Sequence, residues 1–522
     1  MASTIGIIVT IVLYLCLMVG IGIYFNSKSD GTSAGFYLGG RKLGPLVAAM
    51  SAEASDMSGW LLMGLPGVAY LCGVADAAWT AIGLAIGTYL NWLLVAKRLR
   101  RYSVKLDAIT VPEFFSRRFH DEKNILSCIA AIVIVIFFVP YTASGFKAVG
   151  TLVNTLFPAV EYHVAMLIGA AIILVYTILG GFLAVSTTDL IQSIVMTIAL
   201  AVIVGFGTHL AGGWDAVFEN AKAIPGYFSL NEMTSVFIDD ATGEVVKKAV
   251  PYTLLTIVST MAWGLGYFGM PHIILRFMAI RDEKEIKISR RIASIWVTIS
   301  MGVAILIGLI GSAASKAGAI DTFITASDSE TVVINFANVL SQNGIFAAIV
   351  AGLVLAGILA CTMSTADSQL LTAGSSLSKN LLQDFFKIKM SEKTSMGIAR
   401  GVIGIVAVIA VFLAWNPESS VFKIVSFAWA GFGGAFGAVV LFSLFWKRTT
   451  FAGALAGMLS GGAMVFIWKF VIRVQFADTI LNIYELLPAF VISAIFVFVV
   501  SLCSAKPSEE VEREFEEVKA MK

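Results

Sequence analysis

Long apolar runs alternate with short polar ones along the whole chain. A window of about 19 residues detects helices that cross a bilayer. It predicts thirteen spans, centred near Leu13, Leu61, Leu84, Val135, Ile172, Thr197, Gly264, Ala304, Leu355, Val408, Val439, Met464 and Phe496. Two of these runs are broken in the middle. One reads Ser55-Asp56-Met57-Ser58-Gly59-Trp60-Leu61-Leu62-Met63-Gly64-Leu65-Pro66-Gly67, the other Trp263-Gly264-Leu265-Gly266-Tyr267-Phe268-Gly269-Met270-Pro271. Irregular backbone at membrane depth persists only where it is buried or lines a cavity. A matched pair of interrupted helices is the best sequence pointer to a transporter's substrate and ion site.

Each break opens a group of five spans. An odd number of spans per group forces the two groups into opposite orientations, so the pattern predicts an inverted repeat over residues 45–212 and 251–448. Residues 1–44 add an N-terminal span and its loop, 213–250 an external loop, 449–503 two further spans and 504–522 a cytoplasmic tail. The expected fold class is an all-α polytopic membrane protein. The first run, from about Ile5 to Tyr24, has no preceding positive segment and reads as a retained helix rather than a signal peptide.

Lysine and arginine mark cytoplasmic loops. Lys28, Arg41 and Lys42 follow the first span, and Lys97, Arg98, Arg100, Arg101, Lys105, Arg117 and Arg118 the third. Arg276, Arg281, Lys284, Lys287, Arg290 and Arg291 follow the seventh, Lys379, Lys387, Lys389 and Lys393 the ninth, and Lys447-Arg448 ends the eleventh. This alternation puts the N-terminus outside and the C-terminus in the cytoplasm. The stretch from Gly212 to Val250 carries Asp215, Glu219, Glu232, Asp239, Asp240 and Glu244 and reads as external. The glutamate-rich tail reads as a solvated segment with spacing for a short helix.

Composition agrees: 58% of the 522 residues are hydrophobic and 13% charged, against about 25% charged in soluble proteins. The net charge of +2 says little. The five cysteines and four histidines are scattered, without metal or redox spacing. Gly264-Leu265-Gly266 lacks the spacing of a dinucleotide loop, and no nucleophile–base set is visible, so an enzyme is not expected. Nothing points to nucleic acid or to an obligate protein partner; the lipid bilayer and a small solute are the expected partners.

Ionisable residues within spans are costly and default to function. Asp56 sits in the first break with Glu53 one turn earlier; Asp189 opens the sixth span, Asp367 lies in the ninth and Lys147 in the fourth. Position alone leaves Asp189 and Asp367 evenly divided between a functional role and a place at the cytoplasmic interface. The ninth span contains Cys361-Thr362-Met363-Ser364-Thr365. Its hydroxyls either bond their own backbone or face carbonyls freed by the first break, where neutral oxygen ligands suit a sodium ion that must leave again. In the second break Trp263 and Tyr267 share a helix face. Their rings can wall a small solute, and the N–H groups freed at the break can take its carboxylate. A compact zwitterion fits better than a sugar, which needs more hydrogen-bonding side chains.

These segments resemble the sodium/solute symporter family, and within it the proline-transporting members. The first break is similar to that family's first core helix. Trp263 to Gly269, with Pro271-His272 and Arg276-Phe277, is similar to the sixth, and Met363-Ser364-Thr365 with Gln369-Leu370-Leu371 to the eighth. Leu38-Gly39-Gly40-Arg41, Gly180-Gly181 and Thr187-Thr188-Asp189 also match, and the similarity covers nearly the whole chain. The resemblance implies a LeuT-like core and sodium-coupled import of L-proline across the inner membrane of a bacterium. It implies a sodium site made by the carbonyls of Ala54, Met57 and Cys361 and the hydroxyls of Ser364 and Thr365. Asp56 and Asp189 would support sodium affinity and release, and Ser58, Gly64, Tyr141, Trp263, Tyr267 and Pro271 would line the proline pocket. Tyr141 comes from the resemblance alone. Glu53 replaces a small residue usual in the family, and Lys147 is unusual in its helix; a salt bridge among Glu53, Lys147 and Asp367 would explain these charges.

Two rivals follow from the residues. One is a sodium- or proton-coupled importer of another small amino acid or carboxylate. The other is a membrane sensor without net transport, for which the short segment after Cys503 leaves no room for a signalling domain.

Overall fold

The computed structural model describes residues 2–27, 32–238 and 245–521; Lys28, Asp239, Asp240 and Glu244 of the charge reading lie outside them. Ten helices among the described residues are long and apolar enough to cross a membrane: Ser3–Phe25, Val74–Lys105, Ile125–Leu156, Gly181–Leu210, Glu283–Lys316, Ile345–Phe385, Glu392–Leu413, Val421–Phe445, Phe451–Gln475 and Leu486–Cys503. The other three expected spans fall on shorter pieces. Tyr162–Val175 is one; its helix continues through a kink at Gly181, whose φ of 66° suits glycine, into Gly181–Leu210. The other two are the broken segments.

The first break follows Pro45–Asp56. Met57 takes a non-helical ψ of 62°, a wide turn runs over Trp60–Gly64, and Leu65–Cys72 completes the crossing. Pro66 lies at the start of that last piece, directly after the wide turn. The second break is built differently. Leu254–Met261 tightens into a 3-10 segment, Ala262–Gly269, Met270 is extended, and Pro271 starts Pro271–Ala279.

Small residues let helices approach within a membrane. The second broken helix lies backbone against backbone on Val74–Leu90. A Cβ on Gly83 would stand 2.4 Å from the Met261 carbonyl oxygen, and one on Gly264 2.1 Å from that of Gly83. Asn91, at the end of the same helix, donates to the Tyr267 carbonyl at 2.9 Å. The outer faces are apolar, as lipid requires: Ile295, Phe346 and Phe412 are more than half exposed.

The loop expected at 213–250 is structured. It holds the helix Trp214–Ala223 and the strand Glu232–Ile238, which pairs antiparallel with Val245–Pro251 from Glu232 opposite Pro251 onward. This hairpin is the sole sheet among the described residues of an otherwise helical chain.

Two sequence expectations change at the other end of the molecule. Arg276, read as a loop charge, is fully buried in Pro271–Ala279, because it has a carboxylate partner described below. The tail, read as solvated, forms Glu509–Ala520 and docks. Its Val511, Phe515 and Val518 are buried, and the Arg98 and Arg118 guanidinium groups lie 4.8 and 5.4 Å from the Phe515 ring. Its glutamates meet the basic segments: Glu517 bonds Lys105, Glu514 lies 3.0 Å from His120, and Glu512 3.7 Å from Lys447. An apolar stripe with acidic flanks found a basic, aromatic surface that the tail's own composition does not reveal. Nearby, Arg41 donates to the carbonyls of Met278 and Ala108, both at 2.7 Å, tying the start of the first broken segment to the end of the second.

Candidate ion and solute site

The first break frees backbone carbonyls. Met57 N–H still bonds the Glu53 carbonyl at 2.8 Å, but Ser58 N–H turns to the Asp56 carbonyl at 2.8 Å. The Ala54 carbonyl therefore loses its helical donor. It accepts instead from the Ser364 hydroxyl, across from the helix Ile345–Ser375, at 2.7 Å. Ser364 and Thr365 also bond the Cys361 carbonyl, at 3.2 and 3.1 Å. Ala54, Cys361, Ser364 and Thr365, four of the five expected sodium ligands, thus lie in one buried hydrogen-bonded cluster, and Met57 ends the same broken helix. Hydroxyls that donate to their own backbone keep lone pairs for a cation. The donor set is all neutral oxygen, which fits a hard monovalent ion.

Asp56 joins the two breaks. Its carbonyl accepts from the Trp60 indole at 3.2 Å and from the Tyr141 hydroxyl at 3.1 Å. Its carboxylate bonds the Tyr267 hydroxyl, from the second break. Glu53 is buried one turn earlier, with the Trp92 indole donating to it at 3.0 Å. The expected salt bridge among the unusual charges does not form through Lys147. That amine donates instead to the Pro417 carbonyl at 2.8 Å and to Thr151 at 3.2 Å.

Asp189 and Asp367 are both fully buried within the protein. Asp189 accepts from Ser51 at 2.6 Å and pairs with Arg276 at 3.2 Å. Arg276 also donates to Ser51 at 3.0 Å, to Ser368 at 2.5 Å and to the His272 carbonyl at 2.9 Å. This guanidinium ties four helices together. The sequence signal for it was an arginine one turn after Pro271, which a basic run nearby disguised.

A cavity of about 820 Å³ opens toward the hairpin end of the molecule. Of the six expected solute residues, Gly64 and Trp263 line it; Ser58, Tyr141, Tyr267 and Pro271 are buried beneath. Trp263 forms the floor. It stacks on Tyr484 with ring centres 5.2 Å apart, packs on Phe422 at 5.3 Å, and its carbonyl accepts from the Trp429 indole at 2.7 Å. Gly266 is required here: a Cβ would fall 2.0 Å from that indole nitrogen. Phe422 and Tyr484 had no sequence signal, since both come from late segments with ordinary aromatic content.

A helical membrane protein with two facing helix breaks, a neutral oxygen cluster at one and an aromatic floor at the other is a secondary transporter. The chain's residues 36–461 match the model of the sodium:solute symporter family. The chain belongs to that family. It is 42% identical over 495 residues to the high-affinity proline transporter PutP of Bacillus subtilis (strain 168), covering 94% of this chain and 97% of that one. It is 38% identical over 516 residues to the sodium/proline symporter of Staphylococcus aureus (strain USA300), covering 98% and 95%. A solved Na+-coupled sialic acid symporter shares the fold, with a TM-score of 0.76 at 18% identity over 97% of this chain and 99% of that one. The core is LeuT-like, and the chain is a multi-pass membrane transporter with sodium as its coupling ion.

Proposed function

We propose that this chain imports L-proline together with sodium across a bacterial inner (cytoplasmic) membrane by alternating access. The observation that carries the mechanism is the Asp56–Tyr267 bond between the two breaks. The named activities of the relatives, proline transport and sodium/proline symport, support the choice of solute.

The proposed crossing count is thirteen, with the N-terminus outside, the C-terminus cytoplasmic, and 45–212 and 251–448 as the inverted repeats. Sodium binds the carbonyls of Ala54, Met57 and Cys361 and the hydroxyls of Ser364 and Thr365. It thereby holds the first broken helix to Ile345–Ser375, which fixes Asp56 and, through it, Tyr267. Proline lies among Ser58, Gly64, Tyr141, Trp263, Tyr267 and Pro271, its carboxylate toward N–H groups freed at a break. Asp56 supports sodium affinity and Asp189 release to the inside. The coupling is reciprocal: sodium raises proline affinity by the factor by which proline raises sodium affinity.

Purified protein in liposomes tests this. Labelled proline should accumulate only with an inward sodium gradient. Uptake indifferent to sodium but driven by a proton gradient, or stronger competition by another amino acid or carboxylate, selects the alternative importer. Trp263→Ala should weaken proline binding while sodium binding persists.

A further inference from the structure

Trp263 lies between the cavity and the buried solute residues, and part of what holds it comes from beyond the two proposed repeats. Tyr484 sits in the connection between Phe451–Gln475 and Leu486–Cys503. Its ring lies on the Trp263 indole, with centres 5.2 Å apart and planes inclined by 23°. Its backbone N–H donates to the Ser259 hydroxyl at 2.7 Å, in Leu254–Met261, the hairpin-side piece of the second broken helix. Its own hydroxyl donates to the Ser426 carbonyl at 2.7 Å, in the helix Val421–Phe432. One residue thus spans the two elements that flank the indole. The next residue anchors it. Glu485 is buried and meets Lys469 at 3.2 Å and Arg473 at 2.8 Å, both on Phe451–Gln475. Stranding a buried carboxylate is costly, so this pairing fixes the base of the loop.

We propose that Tyr484 is a positioning residue for solute entry: it bolts Trp263 over the inner pocket, and the way in opens when the Tyr484–Ser426 bond breaks. Trp263 is held on its other sides by Phe422, at 5.3 Å, and by the Trp429 indole, which donates to its carbonyl at 2.7 Å. Both belong to Val421–Phe432, the helix that Tyr484 grips. The indole therefore swings only if that whole helix moves or if Tyr484 lets go. Letting go is the cheaper motion. Ser426 lies inside its helix, so its carbonyl keeps a helical donor when the tyrosine leaves. The Tyr484 hydroxyl belongs to a half-buried residue that lines the cavity, where water replaces the lost acceptor. A neutral hydrogen bond exchanged for one to water changes the free energy little. The loop thus has a fixed base at Glu485 and a releasable tip at Tyr484, the design of a gate. The inference rests on the proposed solute pocket beneath Trp263, but not on proline being the solute.

Binding kinetics of labelled L-proline and labelled L-alanine to the purified full chain, at saturating sodium, test it. Tyr484→Phe keeps the ring on Trp263 and removes only the bond to Ser426. Association and dissociation rate constants should both rise about fivefold, the factor for one neutral hydrogen bond, while the equilibrium affinity stays within about twofold of native. Glu485→Gln, which loosens the base instead of the tip, should shift both rates in the same direction. A residue that only supports the fold would lower the thermal midpoint without speeding association. A residue that touches the solute would speed dissociation alone. Either result for Tyr484→Phe overturns the bolt, as do unchanged rates. If the native chain binds alanine and not proline, and Tyr484→Phe speeds that binding in both directions, the bolt stands and the proline assignment falls. If neither amino acid binds, there is no pocket for Tyr484 to close and both readings fall.

Discussion

At the residue scale the oxygen cluster makes the sharpest demands. Thr365 contributes a hydroxyl that already bonds the Cys361 carbonyl, so removing it takes one ligand from the cluster without breaking the helix. Thr365→Ala should weaken sodium affinity at least tenfold, about 1.4 kcal/mol, in sodium titrations of proline binding. Saturating sodium should recover most of the proline affinity; failure to recover it would place Thr365 in the solute pocket instead. Tyr267 makes a different prediction. Its hydroxyl is the direct link from the second break to Asp56, so Tyr267→Phe should leave each ligand binding alone but shrink the factor by which sodium promotes proline binding. A thermodynamic cycle of the four binding constants measures this. An unchanged factor would move the coupling elsewhere. Ser364, Thr365, Asp56, Trp263 and Tyr267 were all visible in the sequence, because hydroxyls, a carboxylate and paired aromatics stand out in an apolar run. Tyr141 was visible only by resemblance, and Phe422 and Tyr484 not at all: what brings them to Trp263 is the packing of distant segments.

Among elements, the breaks were legible and their partners were not. Glycine and proline announce where a helix stops; they do not say what the freed groups will meet. Arg276 shows the difficulty. Beside Arg281 and Lys284 it reads as a loop cation, and only the approach of Gly181–Leu210 supplies Asp189 to bury it. Removing one member of a buried pair strands the other, at a cost of about 3–5 kcal/mol. Arg276→Gln should therefore lower the thermal midpoint markedly in detergent, and the double variant with Asp189→Asn should regain part of the loss. A double variant no better than the single would mean that Ser51 and Ser368, not Asp189, carry the bond. The glycine seam gives a cleaner contrast. Gly264→Ala puts a Cβ against the Gly83 carbonyl, whereas Gly20→Ala meets nothing within 4 Å. The first should destabilise by about 1–3 kcal/mol and the second by almost nothing, read from thermal unfolding. Equal effects would show that the helices separate freely.

For the whole molecule, the charge alternation anticipated a polytopic helical chain but not how its basic segments lock together. Arg101 grips Glu283 with two bonds, 2.6 and 2.7 Å, joining the end of Val74–Lys105 to the segment after the second break. Glu283→Gln keeps the side chain's size but removes the charge that accepts both bonds, so it should lower stability by about 1 kcal/mol, read from thermal unfolding in detergent; an unchanged midpoint would exclude this pair from holding the segments together.

The docked tail has a consequence for the order of assembly. Glu509–Ala520 follows Leu486–Cys503 and the membrane helices described before it, so it leaves the ribosome after them. Until then Arg98, Arg118 and Tyr102 surround an empty aromatic seat that only Phe515 fills. Domains form as synthesis proceeds, and a bundle already inserted would still leave this face uncapped. Capture of the seat by Phe515 is therefore a late step of assembly, made only after Leu486–Cys503 has been synthesised.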